Sequence, residues 1–409
     1  MIYKWVLVTI LIYVGLINNG WTQSCETAEH DGSWSLRKPM PVENSEFAVA
    51  ELNGMIYAAG GFLHHNHQVF LIYNPKKDLW KEGPDLPAGT HHPAVVAANE
   101  KIYVIGGEGA ENLVQIFDPK TETWTRGKNM PSERIAMAGV EVRGKIHLIG
   151  GSPNIRSGTA LDTHEIYDPV LDSWQKAPAL PLSVEHVPAL FLNEKIYVIG
   201  GRSDFTNTNA VQIFDPRSGT WTQGAPMQNA RSGFGAVVFE KRILVFGGED
   251  LISRTVIASS ERYDPANNTW SFLEEAPTTV HGGPAAAFAR FIYLFGGSEI
   301  AASGTGIDSV QRLSISNRPK SPGDLTAKSV TSNSARLQWS DSSTNEAEFQ
   351  IQAKSGSKKY QAVATAPADS ETVVITGLTR NSEFTFRVRA RNGCGTSSFS
   401  NTLKITTRP

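Results

Sequence analysis

The chain has 409 residues with 36 glycines, 22 prolines and 19% charged side chains, a composition suited to many short strands joined by turns and too long for one ordinary domain. Its net charge of -2 leaves no electrostatic footprint for nucleic acid or for an anionic membrane surface, so those partner classes are set aside. With only two cysteines, Cys25 and Cys394, a structural zinc cluster built on thiolates is excluded.

At the N-terminus, Lys4 precedes an apolar run from Trp5 to Ile17 and then a polar stretch ending in Ser24. This is the layout of a secretory signal over 1–24, too short to span a bilayer, and it predicts a secreted, periplasmic or cell-surface protein with no transmembrane segment in the mature chain. Export leaves three states open to the cysteines: unpaired thiols, a Cys25–Cys394 bridge, or a lipid anchor on Cys25.

From Trp34 onward the chain repeats. Tryptophans stand at Trp34, Trp80, Trp124, Trp174, Trp221 and Trp270, and each is followed 26 residues later by a glycine pair: Gly60-Gly61, Gly106-Gly107, Gly150-Gly151, Gly200-Gly201, Gly247-Gly248 and Gly296-Gly297. A second interval is equally rigid, because an aromatic before an Asp-Pro or Asn-Pro step precedes Trp by 7 in Tyr73/Trp80, Phe117/Trp124, Tyr167/Trp174, Phe214/Trp221 and Tyr263/Trp270. Only the segment after each glycine pair varies in length. Runs such as "KIYVIGG" at Lys101 and "VQIFDP" at Val114 read as strands, giving four antiparallel strands per repeat. Such a unit cannot bury both faces alone, so the copies must stack around an axis as a β-propeller.

The paired glycines, the aromatic and the spaced tryptophan resemble the kelch repeat family, with six copies between Trp34 and about Ile315. The resemblance implies a six-bladed propeller over 25–318. Trp34 lacks a preceding aromatic-Asp-Pro phrase and "VQRLSIS" at Val310 lacks a following Trp strand, so the strand around Trp34 is expected to complete the sixth blade.

After "SNRPKSPGDLTA" from Ser316, alternating patterns in "ARLQWS", "EFQIQAK" and "FTFRVRARN" predict a second all-β domain, a sandwich over 319–409. Their order resembles a fibronectin type III domain, with Phe384 where that family usually has the corner tyrosine. Arg387, Arg389 and Arg391 share one face of a strand in a segment with 11 basic against 7 acidic side chains, which is expected to be a solvated face balanced by Glu346 and Glu348.

In the propeller, the loops after the glycine pairs and the segments entering each first strand share one rim, and this variable face is the expected site for a protein or carbohydrate ligand. The candidates there are Glu46, His92, Arg134, Glu185, His186, Arg231 and His281 at strand entries, with His91 and Glu133 beside them, and Arg156, Arg202 and Arg254 in the loops. Arginine and histidine donors suit sugars and carboxylates. No cofactor or metal is expected; His64, His65 and His67 lack a nearby carboxylate in sequence and read as exposed loop histidines.

Two exported enzyme types share the resemblance. The galactose oxidase type needs a cysteine in the propeller core, and none follows Cys25 there. The sialic-acid mutarotase type needs an acid/base pair and an arginine, which Glu46, Glu185, Arg134 and Arg231 would supply if this chain were one. The favoured expectation is a displayed binding or adhesion protein, with the fibronectin-type domain as spacer or second contact. Asn267 heads a glycosylation sequon.

Overall fold

A computed structural model describes residues 31–62, 67–154, 156–316, 318–343, 346–392 and 395–409. The expected signal segment, Cys25, Cys394, His64 and His65 lie outside the described residues, and among those described no helix is long and apolar enough to cross a membrane. Two compact units are present, one of Gly32–Ile315 and one holding Ser316–Pro409.

The first unit consists of six four-stranded antiparallel sheets. Blade 1 runs through Ala48–Leu52, Met55–Ala59, Phe70–Asn74 and Leu79–Glu82. The same order recurs until blade 6, where Ala285–Phe288, Phe291–Phe295 and Val310–Ser316 are joined at the outer edge by Asp31–Leu36. Six apolar clusters fill the six blade interfaces, and one of them packs Ile56 and Tyr73 of blade 1 against Tyr293 and Phe295 of blade 6, so the ring closes.

Local chemistry explains each turn. Between the two inner strands, Asn53-Gly54, Asn99-Glu100 and Arg143-Gly144 hold both central residues at positive φ, the two-residue turn whose twist matches the strands it joins. At the outer hairpin the Asp or Asn side chain before proline accepts the N–H two residues on, as Asp118 does from Lys120 and Asp168 from Val170. The aromatic of that phrase faces its tryptophan across the ladder, with ring centroids 4.9 Å apart for Tyr167 and Trp174. The indoles of Trp80, Trp124, Trp174, Trp221 and Trp270 each donate to a backbone carbonyl contributed by the preceding blade, such as Trp124 to Pro84 at 2.9 Å and Trp174 to Lys128 at 2.8 Å. The glycine pairs answer to sterics: Gly247 sits at φ 66, and a Cβ there would overlap the Val280 carbonyl of the next blade.

The second unit is a β-sandwich. One sheet holds Gly323–Val330, Ser334–Ser340 and Thr372–Thr376; the other pairs Gln361–Pro367, Glu348–Ser355 and Glu383–Asn392, with Leu403–Thr406 against the last. Trp339, Phe349, Ile351, Phe386, Val388 and Ala390 fill its centre, while Phe384 is only partly buried at the margin. The arginine face is not simply solvated. Arg387 stacks on Tyr360 and Phe399, Arg387 and Arg389 donate to Gln352 and Gln350, and Arg391 pairs with Glu348 at 2.7 Å. Glu346 takes no part in that balance and is buried in a loop.

Candidate functional site at the propeller axis

Six residues, one per blade, form a closed ring at the entry to the innermost strands. Each donates its backbone N–H to the carbonyl of its neighbour: His92 to Glu46, Ala136 to His92, His186 to Ala136, Gly233 to His186, Gly282 to Gly233 and Glu46 to Gly282, at 2.7 to 3.0 Å. All six have left-handed φ, between 50 and 61°. For glycine this is free, but Glu46, His92, Ala136 and His186 hold it at a cost of about 1 to 3 kcal/mol each, which persists only where the surrounding structure enforces it. The ring's hydrogen bonds enforce it here.

The ring divides two cavities. On the strand side a channel of about 460 Å³ is lined chiefly by small apolar residues such as Ala48, Ala94, Ala138 and Ala286. On the loop side lies a cavity of about 230 Å³ bounded by Glu46, His92, His186, Arg202, Glu249 and His281, with Phe62, Phe205 and Leu251 as its apolar wall.

A connected set of charges lines the loop-side cavity. Glu46 lies 3.1 Å from His92 Nε2 and 3.2 Å from His281 Nδ1, and His281 stands 3.5 Å from Glu249. Arg202 donates Nε to Glu185 at 2.6 Å and Nη1 to Glu249 at 2.7 Å, while Glu185 also pairs with His186 at 3.0 Å. These residues are contributed by blades 1, 2, 4, 5 and 6 and their connecting segments. Burial alone would raise the Glu185 carboxyl, but the neighbouring His186 and Arg202 outweigh it and hold it at about 2. Glu46 is likewise held well below the usual range, its burial outweighed by His92 and His281. In return His281, which burial would depress, is lifted to about 8 by the Glu46 carboxylate 3.2 Å from its Nδ1 and by the charge of Glu249. His91, bonded through Nδ1 to His92 Nδ1 at 2.7 Å, is driven down to about 3 by burial and by His92.

The predicted site residues therefore separate. Glu46, His92, Glu185, His186, Arg202 and His281 converge on the axis. Arg134 and Arg231 do not reach it and are fully buried inside their own blades. Arg134 donates to the carbonyls of Gly150 and Thr163 and pairs with Glu165; Arg231 donates to Gly247 and Ser259 and pairs with Glu261 at 2.7 Å. Asn44 and Thr90 make the same bond to the first glycine of their pairs, so this column is a blade fastener. Arg156, Arg254 and Glu133 are exposed, and neither arginine lines the cavity. His67 bonds Gly61 O and packs its ring against His91.

Glu249, Phe62 and Phe205 escaped the sequence analysis as site residues. A signal existed for the first two: they follow the glycine pair directly, and residues in that place bond back to the strand entry, as Glu249 does with Ser232 and Phe62 with Ser45. Phe205 reaches the cavity from the tip of a short hairpin, Arg202–Ser203 with Thr206–Asn207, which spacing does not reveal.

Glu46, His92 and His186 offer ligand atoms within 4.8 Å of one another, a donor set suited to zinc. Two cations oppose an ion there. His281 already occupies the second oxygen of Glu46, and Arg202 Nη2 lies 3.1 and 3.2 Å from the nitrogens of His186.

Comparison with known proteins places these observations in a family. A kelch-repeats domain model, that of KLHDC2/KLHL20/DRC7, matches residues 46–248 and 139–319, and a fibronectin type III model matches 320–406. The human Kelch repeat and BTB domain-containing protein 12 is 34% identical over 88 residues, covering 18% of this chain and 14% of that protein. The Kelch domain-containing protein SSO1033 of Saccharolobus solfataricus is 30% identical over 104 residues, covering 25% of this chain and 14% of that one. The aligned part thus spans about one seventh of these relatives' length. The solved structure of YjhT superposes with a TM-score of 0.57 at 17% identity over 68% of this chain and 99% of its own, a likeness of fold. The chain belongs to the kelch-repeat family and carries a fibronectin type III domain after its propeller.

Proposed function

We propose that this protein is an exported binding protein that holds a small hydroxyl-rich ligand, a carbohydrate unit, in the loop-side cavity at the propeller axis, with the fibronectin type III domain as spacer or second contact. The observation that carries this is the pairing of a buried carboxylate–arginine–histidine network with two partly exposed phenylalanine rings around about 230 Å³ of space. The carboxylates of Glu46 and Glu249 keep lone pairs that can accept from a hydroxyl, and the apolar faces of Phe62 and Phe205 suit the C–H face of a sugar ring. The volume fits one ring better than an extended chain.

Turnover of the mutarotase kind gains no support from Glu46, Glu185, Arg134 and Arg231, the four residues that could have supplied its groups. A general base works best with a pKa near the working pH, whereas Glu185 is held at about 2 and Glu46 well below the usual range. Arg134 and Arg231 are committed within their blades. A glycan-array screen of the protein tests the binding proposal, with anomer exchange of each hit followed by NMR. Saturable binding without accelerated exchange is expected; silence across the array would contradict it and redirect the search to a protein partner.

A further inference from the structure

At one end of the fibronectin type III sandwich three carboxylates face one another. Asp341 and Glu346 lie in the turn between Ser334–Ser340 and Glu348–Ser355, and Asp369, at φ 58, lies in the turn between Gln361–Pro367 and Thr372–Thr376. Each offers an oxygen, and the three oxygens are within 4.8 Å of one another. Hydrogen bonds among the described residues tie these positions together. Glu346 accepts the Asp369 N–H through one oxygen at 2.8 Å, Asp341 accepts the Ser343 N–H at 3.0 Å, and the Trp339 N–H is bonded to the Glu371 carbonyl at 3.0 Å.

The charge is not answered. Among the described residues no lysine, arginine or histidine forms an ion pair with any of the three. Glu346 is 7% exposed, and its second oxygen, Oε2, is buried with no hydrogen-bond partner. A buried carboxylate oxygen with no donor is costly unless something positive completes it. Burial, together with Glu346 and Asp369, pushes the Asp341 carboxyl above its ordinary value, as expected where like charges are forced together.

We propose that Asp341, Glu346 and Asp369 form a binding site for a hard divalent cation, with Ca²⁺ as its natural fit. Oxygen donors alone exclude a preference for softer metals. Ca²⁺ takes its ligands at about 2.3 to 2.6 Å, so oxygens on opposite sides of the ion stand up to about 5 Å apart, which matches the separation here. The site has a closed and an open side. Glu346 forms its floor, while Asp369 is exposed and Asp341 half-buried, leaving room for the water ligands that complete six to eight coordination. Bound Ca²⁺ would tie two turns of the sandwich together and give Glu346 Oε2 its missing partner.

The test is calorimetric titration of CaCl₂ into the full chain after chelation, with Asp369→Asn and Asp341→Asn alongside. Both amides keep the side-chain size, and an asparagine at 341 still offers an oxygen to the Ser343 N–H. One saturable site is expected with Kd about 0.1 to 1 mM, the range of extracellular calcium modules, weakened at least tenfold in either variant. The variants should also unfold at higher temperature than the wild type in chelator, because a like-charge contact has gone, yet gain less than the wild type from added Ca²⁺. Absence of uptake by the wild type, or uptake unchanged in both variants, would overturn the proposal and leave the cluster as carboxyls that share a proton.

Discussion

Arg231 and Arg202 are both buried arginines with carboxylate partners, yet they belong to different kinds of region. Arg231 spends its donors within one blade, on the carbonyls of Gly247 and Ser259 and on Glu261. Arg202 pairs with Glu185 of its own blade but also reaches Ser232 and Glu249 of the next, and it borders a cavity. Burial therefore does not tell a fastener from a site. What does is whether the shell of partners is closed by the residue's own blade or opens onto space where water or a ligand can enter.

The largest way to break that comparison is Arg231→Ala, which strands the Glu261 carboxylate inside the blade and should cost about 3 to 5 kcal/mol in urea unfolding. Arg134→Ala, facing Glu165, belongs to the same class. Arg202→Ala should cost less, since the loop-side cavity lets water reach Glu249 and the space the guanidinium leaves. Equal losses would erase the distinction.

A smaller effect distinguishes His281 by pH from the depressed buried histidines, among them His91 at the axis. His281 at the axis is raised from 6.5 to about 8, so its contribution, on the order of 2 kcal/mol, is fully present below pH 6.5 and is lost as pH rises through 8. His147 and His164, buried against each other inside blade 3, are depressed by burial to about 4 and about 3. Their contribution is present above pH 6.5 and is lost as pH falls toward those values. Propeller stability should thus peak near pH 6.5, and His281→Gln should flatten only the alkaline limb of a Tm-against-pH profile. A variant that flattened the acid limb instead would contradict the assignment. The smallest effect is expected at the loop tips, where Arg156→Ala with Arg254→Ala should stay within about 0.5 kcal/mol of the wild type.

Much of the blade architecture was legible because sterics repeat without insertion: the 26-residue step from Trp to the glycine pair and the 7-residue step from aromatic to Trp each mark one backbone path. The axial ring was legible in the same way and went unread. Glu46, His92, Ala136, His186, Gly233 and Gly282 each stand fourteen residues before the first glycine of a pair. Residues two places earlier, Arg134 and Arg231 among them, look equally placed in the sequence, but they point into the blade. Direction, unlike spacing, depends on the left-handed residue between entry segment and strand, which mixed residue types conceal. The convergence of Glu249 and Phe205 on the cavity, and of Asp369 on Glu346, needs contacts between loops that no interval records.

Whether the axis is the site can be decided by titrating a glycan-array hit calorimetrically against two double variants. Phe62→Ala with Phe205→Ala removes the apolar wall of the axial cavity, and Arg156→Ala with Arg254→Ala removes the exposed loop arginines outside it. Binding lost at least tenfold in the first and unchanged in the second is the predicted result. The reverse pattern would place the ligand on the loop tips and contradict the axial site.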